Sequence, residues 1–180
     1  MTRVAVLVGS LRADSVNRQV AESLRSQAPA GVEIQIVEGL GDVPFYNEDI
    51  DGAAAPAAAT AVRAQVAGAD RVLVITPEYN ATMPAVLNNA IDWLSRPYGA
   101  GAIAGKPLGV IGVTPTPYGG KWAHEHTALS AKIAGAIVVE DVTVSQTSIN
   151  VDVLADPEVQ ARLRGALETL VAYEPVESAA

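Results

Sequence analysis

Val4–Val8 is an aliphatic run that stops at Gly9 and opens into Ser10, Arg12, Ser15, Asn17 and Arg18. Hydroxyls, an amide and guanidinium groups crowded behind a buried strand are the residue types that hold an anion. The stretch that follows, with Val16, Val20 and Leu24 four apart, predicts a helix whose N-terminus faces the loop. Amides there lack intrahelical acceptors and carry partial positive charge, so a phosphate is a natural guest. The loop has neither the Lys-Ser/Thr end of a P-loop nor the three spaced glycines of a dinucleotide fingerprint. Side-chain hydroxyls and one guanidinium in place of glycine backbone favour a terminal phosphomonoester over a bridging pyrophosphate, and hence a mononucleotide. A plainer reading stands beside this one, with Ser15 as an ordinary N-cap and its neighbours as turn formers.

Two further segments carry chemistry. In Pro77-Glu78-Tyr79-Asn80-Ala81-Thr82-Met83-Pro84, two prolines bracket a rigid turn, Thr82 can cap a helix, and Pro84 suits its first turn. An aromatic ring, an amide and backbone N–H groups held in a stiff loop suit a flat heteroaromatic ligand. Alternatively, Tyr79 covers the core edge and Asn80 satisfies the turn. Glu78 reads as a solvated loop carboxylate rather than a general base. In Pro115-Thr116-Pro117-Tyr118-Gly119-Gly120-Lys121, the glycine pair permits close backbone approach and positive φ. Its threonines and glycine amides can meet the polar edge of a ring system, or simply form a strand-to-helix turn.

These loops need a frame. Apolar runs at Val4–Val8, Val32–Val37, Arg71–Thr76, Leu108–Thr114 and Ile137–Val144 read as strands. Helical patterns fall at 15–28, 56–68, 82–95 and 121–135, and a last helix opens with Asp156 as N-cap and Pro157 in its first turn. In the third helix, Val86, Leu87, Ala90, Ile91 and Leu94 make the core face, and Asn88, Asn89 and Asp92 point the other way. Alternating strands and helices predict an α/β domain: a doubly wound, five-stranded parallel sheet with helices on both faces. The strand order 2-1-3-4-5 places a ligand outside the carboxyl ends of the strands, where the three polar loops lie. Residues 1–173 are expected to form a single domain, with 174–180 as a flexible tail.

Composition narrows the function. A formal charge of −8, with twelve Lys and Arg that form no run, speaks against a nucleic-acid surface. The sequence has no cysteine, which rules out disulfides, zinc–thiolate sites and thiol catalysis. His124 and His126 are the only histidines, read as partly solvated on different helix faces, so no metal centre is expected. No apolar stretch is long enough for a membrane span, and a cytoplasmic location is expected.

Gly9-Ser10-Leu11-Arg12 with Ser15, Asn17 and Arg18, followed by Pro77-Glu78-Tyr79-Asn80 with Pro84, Leu87, Asn89, Ala90, Asp92 and Trp93, resembles the NAD(P)H-dependent FMN reductase family. That flavodoxin-like family includes quinone, chromate and azo-dye reductases. Val43–Asp49 and Gly105-Lys106-Pro107 are similar to further stretches of it, so the resemblance covers most of residues 3–145. It implies FMN bound non-covalently, with its phosphate held by Ser10, Arg12, Ser15, Asn17 and the Val16 backbone. Pro77, Glu78, Tyr79 and Asn80 would cradle the isoalloxazine, and Thr116, Tyr118, Gly119 and Gly120 would line its pyrimidine side. NADPH or NADH would deliver hydride to the flavin, which would pass it by a ping-pong mechanism to a quinone, azo compound, oxyanion or free flavin. No side chain is assigned a catalytic role, because the cofactor carries the chemistry. The resemblance also implies a homodimer or homotetramer, with Arg96, Tyr98 and the Pro44–Asp49 segment at subunit contacts. In the third loop, Pro115, Pro117 and Tyr118 stand where the family usually has small Ser and Gly residues. Two rival readings remain: a flavodoxin-type electron carrier without reductase activity, and a flavin-free nucleotide-binding protein on the same fold.

Overall fold

Along β1 (Thr2–Val8), Ala5 and Leu7 point to one side while Val4, Val6 and Val8 point to the other, and all five are buried. A strand apolar on both sides must be covered on both sides. The computed structural model describes residues 1–175, so positions 176–180 of the expected tail lie outside the described residues. After β1 come α1 (Val16–Ser26), β2 (Val32–Ile36), α2 (Ala57–Ala67), β3 (Arg71–Thr76), α3 (Ala85–Leu94), β4 (Pro107–Thr114), α4 (Lys121–Ile133), β5 (Ile137–Thr147) and α5 (Pro157–Ala172). The five strands form one parallel sheet in the order β2-β1-β3-β4-β5, as the sequence predicts.

Helices α1 and α5 cover one face through Val20, Leu24, Leu163 and Leu167. Helices α2, α3 and α4 cover the other, around Leu87, Trp93 and Ile103. Asp156 caps α5 by accepting the Glu158 and Val159 amides, and Pro157 occupies the first turn.

The long β2–α2 connection is pinned by side chains. Asn89 donates to Val43 O and Pro44 O and accepts the Tyr46 amide at 2.9 Å, while Trp93 Nε1 donates to Pro44 O at 2.8 Å. Asn89 therefore faces inward, contrary to the polar outer face expected of it; the connection's backbone groups need partners when buried. Arg63 grips Asp51 through two hydrogen bonds of 2.7 and 2.9 Å and lies over the Trp93 ring. Its guanidinium is the main reason the Asp51 carboxyl is held down to about 2.

Two element ends lie furthest from expectation. Helix α3 starts at Ala85 rather than 82, because residues 79–82 close a tight turn first. Strand β5 runs to Thr147 rather than Val144, since a register shift against β4 between Leu108 and Val110 absorbs extra residues. That shift carries the end of β5 level with the end of β4, Thr114 pairing with Thr147.

Candidate functional site

A cleft of about 410 Å³ opens at the carboxyl ends of β1, β3 and β4, where the strand order reverses. Gly9 leads the chain out of β1 against β3, its amide donating to Ile75 O at 2.9 Å. A Cβ there would stand 2.5 Å from Thr76 Oγ1, so only glycine lets the two strand ends come this close. Ser15 then caps α1 by accepting the Arg18 amide at 3.3 Å. The Val16 and Asn17 amides lie where the helix has no acceptor to offer.

The two arginines of this loop differ. Arg18 is engaged by Glu22 and by both Glu38 oxygens, and the hydrogen bond from Arg18 holds the Glu38 carboxyl below its usual range. Arg12 is exposed and joins none of the ion pairs among the described residues, so its charge stays available to the cleft it lines. Asn17 is buried and donates to Val113 O at 3.0 Å, which aims its Oδ1 without supplying that atom a partner. Thr116 Oγ1 is likewise buried and bare. A buried acceptor or donor left unpaired costs about 1–3 kcal/mol, and both of these atoms belong to residues lining the cleft.

The cleft gathers Ser10, Arg12, Ser15, Val16, Asn17, Pro77, Glu78, Tyr79 and Thr116 from the sequence-derived set. It leaves out Asn80, Tyr118, Gly119 and Gly120, and the geometry shows why those residue types are present. Asn80 and Ala81, at φ of 52° and 58°, form the bend of a turn closed by two hydrogen bonds of 3.0 Å between Tyr79 and Thr82. Gly119 has φ of 62°, and a Cβ on it would lie 2.6 Å from the Ser145 carbonyl carbon. Gly120, at φ of 86°, is the N-cap position of α4. Both glycines serve close packing against β4 and β5. Tyr118 is exposed and packs against Trp122 with ring centres 4.8 Å apart and the rings tilted by 55°.

Sequence reasoning missed Val113, Thr114, Pro115 and Ser148 on the cleft wall. Ser148 comes from the loop after β5, and its amide donates to Thr114 O at 3.0 Å. The polar run Ser145–Ser148 after the last apolar residue of β5 was the available signal.

Glu78 and His124 depart from expectation, whereas the two histidines do take different faces of the helix. The Glu78 carboxylate is half-buried and accepts from the Trp122 and Ala123 amides at 2.9 and 3.1 Å, so it caps α4 rather than standing in solvent. His124 is buried and His126 is exposed, with His126 Nδ1 2.9 Å from Thr82 Oγ1. Burial pushes His124 below the ordinary histidine value, against a smaller opposing pull from Glu125. Among the described residues no group of His, Asp or Glu is arranged to hold a metal ion.

Five parallel strands in this order, helices on both faces and a polar-lined cleft at the switch point define a flavodoxin-like protein. Residues 2–150 match the family model described as NADPH-dependent FMN reductase, and the chain belongs to that oxidoreductase family. It is 50% identical over 117 residues to a quinone reductase of Pseudomonas putida, a match covering 65% of this chain and 62% of that one. A 2-hydroxy-1,4-benzoquinone reductase of a Burkholderia species is 44% identical over 124 residues, covering 69% and 67% of the two chains. The chain therefore spans somewhat under two thirds of the length of the Pseudomonas relative. Among solved structures, the flavoenzyme NAD(P)H:(acceptor) oxidoreductase FerB from Paracoccus denitrificans superposes with a TM-score of 0.83 at 32% identity, over 95% of this chain and 96% of that one. Among the described residues no helix is long and apolar enough to cross a membrane.

Proposed function

We propose that this chain is an FMN-dependent NAD(P)H oxidoreductase that passes electrons to a quinone or a similar small acceptor by a ping-pong mechanism. Residues 1–173 act in this reading as one FMN-binding domain. The carrying observation is a pair of buried atoms that are bare among the described residues, Asn17 Oδ1 and Thr116 Oγ1, on residues lining a cleft that also offers the Arg12 guanidinium, free of ion pairs among those residues, and a helix N-terminus. Those groups fit FMN. Ser10, Arg12, Ser15 and the Val16 and Asn17 amides would take the phosphate, a dianion that welcomes charge-assisted donors. Asn17 Oδ1 and Thr116 Oγ1 suit the hydroxyl and ring polar groups beyond it. Pro77 and Tyr79 offer an apolar and aromatic wall to a flat ring.

When bound, FMN supplies the redox chemistry. The chain's own residues bind and orient it and leave one side of the cleft open. One open side would serve donor and acceptor in turn, and this supports a ping-pong order.

NADPH and NADH both fit this reading as donors, and a cytoplasmic location goes with it. A homodimer or homotetramer belongs to the same proposal. Tyr98, Leu129 and Ile133 stand exposed around a groove between α3 and α4, and such apolar patches mark contact surfaces.

The test is purification, a visible spectrum after reconstitution with FMN, and anaerobic titration with each nicotinamide. A yellow protein that oxidises NAD(P)H in the presence of a quinone, with parallel double-reciprocal lines, is expected. A yellow protein without turnover would make it an electron carrier, and one that stays colourless with FMN would end the cofactor reading.

A further inference from the structure

We infer that Glu78 is a positioning residue: it clamps the β3–α3 loop to α4 and places a carboxylate on the cleft wall that disfavours added negative charge there. This rests on the FMN reading above.

Helix α4 lacks a cap of its own, because Gly120 at its N-cap position has no side chain to offer. A helix start without a cap leaves amides bare and exposes the positive end of the dipole. Glu78, 44 residues earlier in the chain, fills that gap. Its Oε2 accepts both the Trp122 and the Ala123 amides, while Oε1 takes no hydrogen bond among the described residues. The same residue lines the cleft between Pro77 and Tyr79.

Two consequences follow from this placement. The first is mechanical. Apart from its internal turn, the loop's polar ties to α4 are the Glu78 pair and the His126–Thr82 contact on the exposed side. Cutting the Glu78 tie frees the stretch that presents Pro77 and Tyr79. The second is electrostatic. The α4 amides would otherwise welcome an anion at this end of the cleft. Glu78 has taken them, and the cleft-lining residue at this end carries a carboxylate instead. A group that gains electrons beside that charge is bound less favourably in its reduced form than in its oxidised form.

Glutamine and alanine separate the two effects. An amide oxygen can still accept from both α4 amides without the charge, whereas alanine removes cap and charge together. Apoprotein melting, FMN affinity by fluorescence quenching and the midpoint potential of the bound FMN are measured for wild type, Glu78→Gln and Glu78→Ala. Glu78→Ala is expected to melt lower as apoprotein and to bind FMN at least tenfold more weakly. Glu78→Gln is expected to recover most of both properties and to shift the preference toward reduced cofactor about tenfold, which for a two-electron couple is about 30 mV upward. An alanine variant matching wild type in melting and affinity overturns the clamp. A glutamine variant with an unchanged potential overturns the electrostatic role. A wild type that takes up no FMN sinks the cofactor reading instead; apoprotein melting then decides the clamp, with recovery by glutamine supporting it and identical melting of all three overturning it.

Discussion

The β1–α1 loop and the β4–α4 loop both join a strand to a helix at the same end of the sheet, yet they spend their polar groups differently. The first leaves groups unspent: among the described residues Arg12 is free of ion pairs, and Asn17 Oδ1 is buried without a partner. The second spends more of its capacity, with Gly119 pressed on β5, Gly120 pressed on Gly112 and the α4 amides occupied by Glu78, while Thr116 Oγ1 at its start stays bare among the described residues. Glycine next to a helix start is not by itself a ligand signal. What marks a site is polar capacity that the fold has not used.

The contrast can be broken most forcefully at Gly119. Valine there meets the backbone of Ser145 and Gln146 and must adopt a left-handed φ. Strain and overpacking together cost about 2–5 kcal/mol, so the apoprotein should melt roughly 10 °C lower. A Gly119→Val protein that melts normally yet loses FMN would reverse the assignment of this loop. Arg12→Ala probes the other loop. Removal of one charge-assisted contact should weaken FMN binding by about 1.5–3 kcal/mol while apoprotein melting stays put; unchanged affinity would place the phosphate elsewhere.

Acid sharpens the comparison further. His124 lies in α4 with its affinity for a proton lowered by burial, so the unfolded chain binds that proton more readily than the folded one. The folded state should therefore lose stability as pH falls below the ordinary histidine value of about 6.5. Melting curves at pH 5 and pH 8 should differ less in His124→Gln than in wild type, and an equal difference would remove His124 from the account. Tyr118→Ala should be the mildest change. An exposed ring packed at a tilt against Trp122 is worth about 0.5–1 kcal/mol, and FMN affinity should stay unaltered because Tyr118 lies outside the cleft lining.

The architecture was legible because it is written in short-range patterns. Aliphatic runs such as Val4–Val8 cannot be buried on one side only, and the Asp156-Pro157 start of α5 is a local signal. The strand order came from the topology rule rather than from any residue. Less of the site was readable. Ser10, Arg12, Ser15 and Asn17 sit beside one another in sequence, so their grouping needed no tertiary information. Ser148 reaches the cleft only because the register shift in β5 brings Thr147 opposite Thr114. Glu78 meets α4 across 44 residues, and Asn89 is turned inward by bare carbonyls of a distant segment. Such long-range hydrogen bonds leave no periodic trace in the chain.

The two tryptophans occupy contrasting surroundings. Trp93 is wholly enclosed, with Arg63 over its face, whereas Trp122 is half-buried and joined through its own amide to the Glu78 carboxylate on the cleft wall. A collisional quencher such as acrylamide should reach the emission of the second and spare the first. Trp122 stands one hydrogen bond away from a residue that lines the cleft, so its emission is expected to respond when the cleft fills, with Trp93 as the internal reference.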